Sequence, residues 1–432
     1  MQTSRWRTQD LVEEFSAYAA AQPKVSSHCH QLPERQLVGF DLEALLRNSY
    51  INWCGLDWGP TEAQRAAFFA ELGTNSYLVW LRRGLTELYP GCAPLSAASW
   101  AEWDARLRAA YRDGGHAREV LTEKCGYRRM LLDAYWQPGS DNDAPALFAP
   151  SYRVNAFFFG YSRAAGDHDG NNPYALETHP FLRDLDEYEA WLRASIRARR
   201  AAGCVALKLP IAYDRGLDFQ PVDDDQARRA FARLTASPGA AEAPGPGQAP
   251  SNAPQRPGAP AGVDPQDVRA FQDALFFRLC AIAAEFDLPL QIHTGSGQGR
   301  RTNAARLQDA IERCPTTRFV LLHCGYPWIQ ELGFLVEKYP NVYPDLSLLP
   351  LVSTRGCVTA LHDLLERSSL GRLAWGCDTW TPEESCGALL AFRQCLATAL
   401  AEKVVEGYFS RPEAERVITA ILWNNPRRIY SL

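Results

Sequence analysis

The chain has 432 residues, of which 46% are hydrophobic and 22% are charged, and its formal net charge at pH 7 is −5. This composition is typical of a globular protein with a sizeable core, and it excludes a disordered chain. The negative charge argues against a protein that binds nucleic acid or an anionic membrane surface, because both attract basic chains.

The length fits either about three domains of roughly 150 residues or one large α/β barrel. The first 15 residues are charged and polar, and no apolar run approaches the roughly 18 residues that a membrane span requires, so we expect neither a signal peptide nor a membrane segment. The twelve cysteines include no CxxC pair, which predicts reduced thiols and a cytoplasmic protein.

Eight short apolar runs alternate with helical patterns along the chain, which is typical of βα units around a parallel sheet. Eight is the number of strands in a (β/α)8 TIM barrel, so the sequence predicts an α/β fold in which residues 1–432 form one barrel domain. In chain order the predicted strands are residues 25–30, 129–134, 154–160, 204–209, 289–294, 319–323, 342–346 and 373–378.

Two stretches interrupt this alternation. Residues 40–127 are rich in aromatic side chains and helical patterns, and they are too long for a loop, so we expect a helical insertion after the first strand that caps the barrel mouth. Residues 237–262 hold seven Pro, five Gly and seven Ala. That composition predicts a flexible insertion between the fourth and fifth strands, because four predicted strands lie on each side and neither half could close a barrel alone.

Polar side chains that bind metals lie at the ends of several predicted strands. His28 and His30 are two positions apart on the first strand, so their side chains point to the same side. His293 and His323 each end an apolar run, and Asp378 ends the last one. Taken singly, each histidine could be a core or surface residue, and Asp378 could cap the following helix. Together they supply the nitrogen and oxygen ligands of a catalytic zinc, which activates water and polarises a carbonyl.

The sequence around these residues resembles that of a known family. His28-Cys29-His30, LPLQIHTGSG, FVLLHCGYP, YPNVYPDLS, WGCDTWTPEE and the ending NNPRRIYSL are similar to motifs of the amidohydrolase superfamily, whose members are distorted (β/α)8-barrel metalloenzymes. The resemblance is to the amidohydrolase-related branch, near the forms fused to glutamine synthetase, and more distantly to uronate isomerases. It covers the chain from His28 to the C-terminus. Two departures, Ser26-Ser27 before the first histidine and Cys377 in place of serine, remove no ligand.

The resemblance implies one divalent metal, most often zinc, held by His28, His30, His293 and Asp378. It further implies that His323 contacts the reacting water or the substrate, and that Asp378 transfers protons. Which of the two single histidines binds the metal differs within the superfamily, so that division stays open.

A second set of residues is predicted to bind the substrate. Lys208 lies on the fourth strand, where binuclear relatives carry a carbamylated lysine between two metals. The following Tyr213 and Arg215 resemble a branch motif that contacts a substrate anion, although the arginine is displaced by one position. A substrate carboxylate near Lys208 and a salt bridge to a protein carboxylate are both open.

The sequence therefore predicts a metal-dependent hydrolase that cleaves a C–N or C–O bond of a small carboxylated substrate. A non-oxidative decarboxylase or a uronate-isomerase-like enzyme could use the same metal site. A barrel that binds a ligand with little or no catalysis is a further alternative. We expect a small-molecule partner, with no nucleic acid and no membrane, and homo-oligomerisation is left open.

Overall fold

The computed structural model describes residues 2–242, 262–297 and 299–432. The predicted insertion at 237–262 falls largely on residues 243–261, which lie outside the described residues. No helix in the described part of the chain is long and apolar enough to cross a membrane.

Parallel strands alternate with helices along the chain, which confirms the predicted α/β fold of the TIM-barrel type. Every strand except β2 and β7 is buried at each of its residues, as expected for strands covered on both faces. In chain order the strands are β1 (Lys24–Cys29), β2 (Tyr127–Leu132), β3 (Phe148–Arg153), β4 (Ala206–Leu209), β5 (Leu290–His293), β6 (Phe319–Leu322) and β7 (Val342–Pro344).

The helices lie before, between and after these strands. Several begin with a side-chain cap, for example Asp184 and Asp223, whose carboxylates accept backbone N–H groups of the first turn. The α-helices are α1 (Gln2–Ala21), α2 (Glu34–Leu37), α3 (Leu42–Arg47), α4 (Glu62–Glu71), α5 (Ser76–Leu88), α6 (Trp100–Ala110), α7 (His116–Glu119), α8 (Pro173–Leu176), α9 (Leu185–Ala201), α10 (Asp224–Ala236), α11 (Pro265–Glu285), α12 (Gln308–Arg313), α13 (Ile329–Lys338), α14 (Leu349–Val352), α15 (Thr354–Arg367), α16 (Pro382–Val405), α17 (Arg411–Thr419) and α18 (Asn425–Ile429).

The chain divides into two compact units. The first comprises Met1–Ala134, Ser140–Ala149 and Asp345–Leu432, and the second comprises Tyr135–Gly139 and Pro150–Pro344. That residues 1–432 act as one domain stays a prediction.

In the first unit, the predicted eighth strand is present as an irregular extended segment. Ala374 forms a parallel bridge with Asp345 on one side. On the other side, Ser27 donates its N–H to the carbonyl of Trp375 at 3.1 Å, and Asp378 donates to the carbonyl of His28 at 3.0 Å. Residues 373–378 thus pair with β1, and this pairing brings Asp378 beside the two histidines.

The third strand is not where the sequence predicted it. The predicted run at 154–160 contains a 3-10 helix, Asn155–Phe159, while β3 is the preceding segment Phe148–Arg153. All five residues of the 3-10 helix are buried. A short continuous apolar run reports burial and not backbone conformation, so it cannot distinguish a buried strand from a buried turn.

The helical insertion after β1 is confirmed. Helices α2 to α7 fill the interval between β1 and β2, and their apolar side chains form a core of their own. The largest of these side chains are aromatic and almost fully buried: Trp58, Trp100, Trp103, Tyr89, Tyr111, Phe68 and Phe69.

In the second unit, β3 to β7 pair in parallel and in chain order. One set of alternating positions is apolar and includes Leu207, Leu209, Leu290 and Ile292. The other set carries polar side chains, which belong to the second group of candidate site residues described below.

Candidate active site

His28 and His30 are placed by the end of β1. The strand ends at Cys29, and beyond it His30 donates its backbone N–H to the carbonyl of Thr379 at 3.1 Å. Because His28 and His30 are two positions apart, both imidazoles lie on the same side of the chain and their ring centroids are 4.8 Å apart. The predicted pair is therefore brought together.

The carboxylate of Asp378 completes a compact cluster. One oxygen, Oδ1, lies 3.2 Å from Nε2 of His28 and 3.2 Å from Nε2 of His30. All three side chains are largely buried. Within the described part of the chain, this is the group of metal-binding side chains whose ligand atoms converge, all within 4.8 Å of one another.

A hydrogen bond at Nδ1 of His30 determines which of the two ring nitrogens carries the proton. It therefore also determines whether Nε2, the nitrogen beside Asp378, has a lone pair. Nδ1 lies 2.8 Å from the backbone carbonyl of Asp133. A carbonyl oxygen only accepts, so Nδ1 carries the proton and Nε2 of the neutral ring carries the lone pair. This is the arrangement typical of metal-binding histidines, whose second nitrogen donates to a carbonyl or carboxylate.

The sequence analysis did not single out Asp133. It ends the apolar run of β2 in the same way that Asp378 ends the last predicted strand, and it is fully buried. A carboxylate at the end of a buried strand was the available signal, and the same reasoning applied to Asp378 would have identified it.

Aromatic side chains lie against the histidine cluster. Trp380 stacks on His30 with ring centroids 5.3 Å apart and contacts Tyr50 and Trp53 of the helical insertion. Tyr50 in turn stacks on Tyr77. The insertion therefore supplies aromatic rings that pack on Trp380, the ring that stacks on His30, and its role as a cap of the barrel mouth stays a prediction.

Two glutamates in the first turn of α16 bind the insertion. Glu383 accepts hydrogen bonds from the hydroxyls of Tyr89 and Tyr111, each at 2.7 Å. Glu384 accepts the backbone N–H of Tyr50 at 2.6 Å. Burial raises the pKa of Glu384 to about 8, because a carboxylate in an apolar environment loses its hydration.

The second unit holds the other predicted histidines. Nε2 of His293 lies 2.7 Å from the carbonyl of Ser296, so it carries a proton. Nδ1 of the neutral His293 ring then accepts a hydrogen bond from Nε2 of His323 at 2.9 Å. The ring of Tyr213 packs on His293 with centroids 4.3 Å apart. The structure thus brings His293, His323 and Tyr213 together, and their roles in metal or substrate binding stay predictions.

The two predicted substrate cations have different surroundings. Lys208 is 2% exposed and lies on β4 in register with Gln291 of β5. The guanidinium of Arg215 binds the carboxylate of Asp273 at 2.7 Å and lies over the ring of Phe219. Arg215 is therefore engaged in a structural ion pair with α11, and a contact between Arg215 and a substrate stays a prediction.

His323 and Asp378 share an uncommon backbone conformation. Their φ angles are +65° and +57°, in the left-handed region that L-residues with a Cβ rarely adopt. Such conformations cost on the order of 1–3 kcal/mol and cluster at functional sites. His323 and Asp378 are two of eight non-glycine residues with a positive φ in the described part of the chain, so this conformation does not by itself distinguish them.

The cluster of His28, His30 and Asp378 fits a divalent metal ion. Two imidazoles and a carboxylate are the ligands that zinc and similar ions prefer. The lone pair of His30 Nε2 faces the same point as the Asp378 carboxylate. The cluster is buried, and a buried carboxylate is stabilised by a positive charge beside it.

Comparisons with known families and proteins match parts of the chain. A family model described as amidohydrolase matches residues 169–432. The protein fluG of Emericella nidulans is 33% identical over 237 residues, which are 53% of this chain and 26% of that protein. The chain thus spans about a quarter of the length of this curated relative.

Solved structures resemble the chain over nearly its full length. A glucuronate isomerase from Caulobacter crescentus has a TM-score of 0.75 at 14% identity, covering 98% of this chain and 94% of its own. A protein from Lactobacillus casei assigned as a metal-dependent hydrolase has a TM-score of 0.65 at 18% identity, covering 96% and 97%. At these identities the likeness concerns the fold alone, and it agrees with the predicted barrel.

Proposed function

The chain belongs to the amidohydrolase family, and on this premise we propose that it is a metal-dependent hydrolase of a small carboxylated substrate. The convergence of His28, His30 and Asp378 carries the proposal. We further propose that zinc is the metal, that the enzyme acts in the cytoplasm, and that its partner is a small molecule and neither nucleic acid nor a membrane. When bound, the metal would polarise the scissile carbonyl and lower the pKa of a water molecule.

The residues of the chain account for the remaining requirements of hydrolysis. Asp378 takes a proton from the attacking water and passes it to the leaving nitrogen or oxygen. The carbonyl of Asp133 fixes the ring of His30. Trp380, stacked on that ring, limits the access of bulk water. His293 and His323 are proposed to complete metal and substrate binding, as the sequence predicts.

Isomerisation of a uronate is the second candidate, and the fold likeness to a glucuronate isomerase favours it. In that reaction no water is consumed, and a side chain moves a proton between neighbouring carbons of an open-chain sugar acid. The same carboxylate could serve either reaction, so product analysis must separate them.

The experiment starts from protein reconstituted with zinc. We expect about one metal ion per chain, and loss of that ion in His28→Ala and His30→Ala, while the control His179→Ala, a substitution of a half-buried histidine of the second unit, retains it. Asp378→Asn should lower turnover by a factor of about 10² to 10⁴, the usual contribution of a general acid–base residue.

Mass spectrometry then identifies the reaction. N-acyl amino acids, lactones, aromatic carboxylic acids and hexuronates are each incubated with the enzyme. A product that gains one water supports hydrolysis. Loss of carbon dioxide would contradict it in favour of decarboxylation, and a product of unchanged mass with altered retention would establish isomerisation. A protein that holds no stoichiometric metal and has no turnover, and whose Asp378→Asn variant still binds the ligand, would support the alternative of a ligand-binding barrel.

A further inference from the structure

Several cysteine side chains in the described part of the chain contact each other in pairs. In each pair, the two side chains are joined by a hydrogen bond, and both cysteines are free thiols. The pairs are Cys29 with Cys377, Cys125 with Cys386, and Cys280 with Cys314. Two thiols in contact are the starting point for a disulfide, provided that an oxidant can reach one of them.

The pair of Cys280 and Cys314 is the one that an oxidant can reach. In the other two pairs, both partners are buried. Here Cys280 is 0% exposed, whereas Cys314 is only half-buried. A small oxidant from solvent can therefore contact Cys314 without local unfolding, and the partner thiol lies directly behind it.

The backbone holds the two cysteines of this pair through a shared neighbour. The buried hydroxyl of Thr317 donates to the carbonyl of Cys280 at 2.9 Å, and the backbone N–H of Thr317 donates to the carbonyl of Cys314 at 3.1 Å. The side-chain amide of Asn341 donates to the carbonyls of Cys314 and Thr317, each at 3.1 Å. These bonds fix both backbones and keep the two thiols within reach of each other.

The surroundings of the pair favour a thiolate at Cys314. A hydrogen bond from the Cys280 thiol and the positive charge of Arg313 lower the pKa of Cys314, against the opposing effect of its partial burial. Burial raises the pKa of Cys280, so Cys280 keeps its proton. The thiolate is the form of cysteine that attacks oxidants. Cys314 is thus the accessible thiol of the pair and also the more readily ionised one.

We propose that Cys280 and Cys314 form a disulfide when the protein meets a hydroperoxide, and that Cys314 is oxidised first. The Cys314 thiolate attacks one peroxide oxygen, so that an S–O bond forms and the O–O bond breaks. The second oxygen leaves and takes a proton from solvent. The Cys280 sulfur then attacks the Cys314 sulfur, and the S–O bond breaks to release water that carries the Cys280 proton. Two electrons pass from the thiols to the peroxide, and a dithiol reverses the reaction.

This disulfide would connect segments on either side of β5. Cys280 lies in α11 and Cys314 directly follows α12, so the bond closes a loop of the chain that contains β5 and its last residue, His293. A covalent loop restricts the unfolded chain more than the folded one. We therefore expect the oxidised protein to unfold at a higher urea concentration than the reduced protein.

The test maps disulfides in the full-length folded protein. The reduced protein is treated with hydrogen peroxide, the remaining thiols are blocked with N-ethylmaleimide, and the chain is cleaved with trypsin. We expect residues 279–300 and 314–318 as two linked peptides, whose mass is two hydrogens below the sum of the two thiol peptides. Their yield should exceed that of any other cysteine pair at least tenfold, and dithiothreitol should separate them.

Single substitutions distinguish the roles of the two cysteines. Cys280→Ser should leave Cys314 as a sulfenic acid that dimedone traps, and Cys314→Ser should leave Cys280 as a free thiol. The control Cys92→Ser, a substitution of another half-buried cysteine, should give the linked peptides in wild-type yield. Circular dichroism shows whether each variant folds, and an alanine variant replaces a serine variant that does not.

Several results would overturn the inference. Peroxide could leave both cysteines as thiols, or it could oxidise Cys314 to a sulfinic acid without producing the linked peptides. Equal yields of this pair and of other pairs in the folded protein would count against it, and so would the same preference in concentrated urea, where the contact is lost. Neither a substrate nor a metal enters these measurements, so failure of the hydrolase proposal would not change their outcome.

Discussion

At the scale of single residues, the backbone and its hydrogen bonds decide how the candidate site is prepared. The carbonyl of Asp133 selects the tautomer of His30, and the carbonyl of Ser296 selects that of His293. The left-handed backbone of Asp378 turns the chain at the end of the predicted eighth strand. In each case a local constraint fixes the direction in which a polar group points. A sequence pattern gives only the position of that group along the chain.

The first prediction concerns Glu384. Burial raises its pKa to about 8, compared with an ordinary value of 4.5, so the folded protein keeps a proton that the unfolded chain releases. The stability contributed by this group is therefore present below about pH 4.5 and lost as the pH rises through about 8, with a limit on the order of 5 kcal/mol.

Glu384→Gln removes this titration. We expect the free energy of unfolding of the variant, relative to that of the wild type, to increase between pH 5 and pH 8 in urea denaturation. The exposed-site control Glu102→Gln should show no such change. A difference between Glu384→Gln and wild type that is the same at both pH values would contradict the prediction.

At the scale of elements, α16 organises the first unit. Its first turn binds the helical insertion through Glu383 and Glu384, and its next turn crosses α5 at close range. A Cβ on Gly84 of α5 would lie 2.6 Å from the carbonyl oxygen of Glu383 and 2.7 Å from the nitrogen of Gly387. The two helices can approach this closely because both positions lack a side chain.

Gly84→Ala tests this helix crossing. The methyl group would meet backbone atoms that cannot move aside, so we expect a loss of stability of about 1–3 kcal/mol or more, despite the higher helix propensity of alanine. Denaturant unfolding measures it. Gly114→Ala is the control, since a Cβ there meets only a side-chain carbon of Glu34 at 3.8 Å. Equal stability of the two variants would argue against a close-packed crossing.

The anchoring of the insertion by Glu383 gives a separate prediction. Glu383→Gln keeps the shape of the side chain and removes the charge that accepts hydrogen bonds from Tyr89 and Tyr111. Hydrogen bonds to buried charged groups contribute about 1.5–3 kcal/mol each, so we expect a loss of at least that size in urea unfolding. Unchanged unfolding of Glu383→Gln would show that these bonds contribute no net stability.

At the scale of the whole molecule, metal binding should be linked to folding. The ligand residues His28 and Asp378 are 350 positions apart in the chain, so the unfolded chain cannot present them together. A ligand that binds only the folded state stabilises it by about 2.7 kcal/mol at a free concentration of one hundred times its Kd.

We therefore expect zinc to raise the urea midpoint of the wild type and a chelator to reverse the effect. Asp378→Asn should respond weakly or not at all, whereas Asp143→Asn, a substitution of an exposed aspartate, should respond as the wild type does. A zinc effect of the same size in Asp378→Asn would mean that the ion binds elsewhere.

Much of the architecture could be predicted from the sequence because its signals are local. Seven of the eight predicted runs overlap a strand or the extended segment at 373–378, and the helical insertion lies where its length and periodicity placed it. The pair His28 and His30 is local as well, since two positions on one strand share a side. The prediction of the third strand was wrong because a buried apolar run has the same sequence pattern in a strand and in a 3-10 helix.

The sequence by itself determined the family, the order of strands and helices, and the residues at the strand ends. Only the tertiary structure decided which of them meet: Asp378 with His28, Asp133 with His30, and Glu383 with two tyrosines of the insertion. The physical reason is that these contacts depend on strand register and on turns of unusual φ, which no local pattern encodes. Burial then strengthens the interactions between these neighbouring groups, because it fixes the tautomers of the histidines and places the charges where water does not screen them.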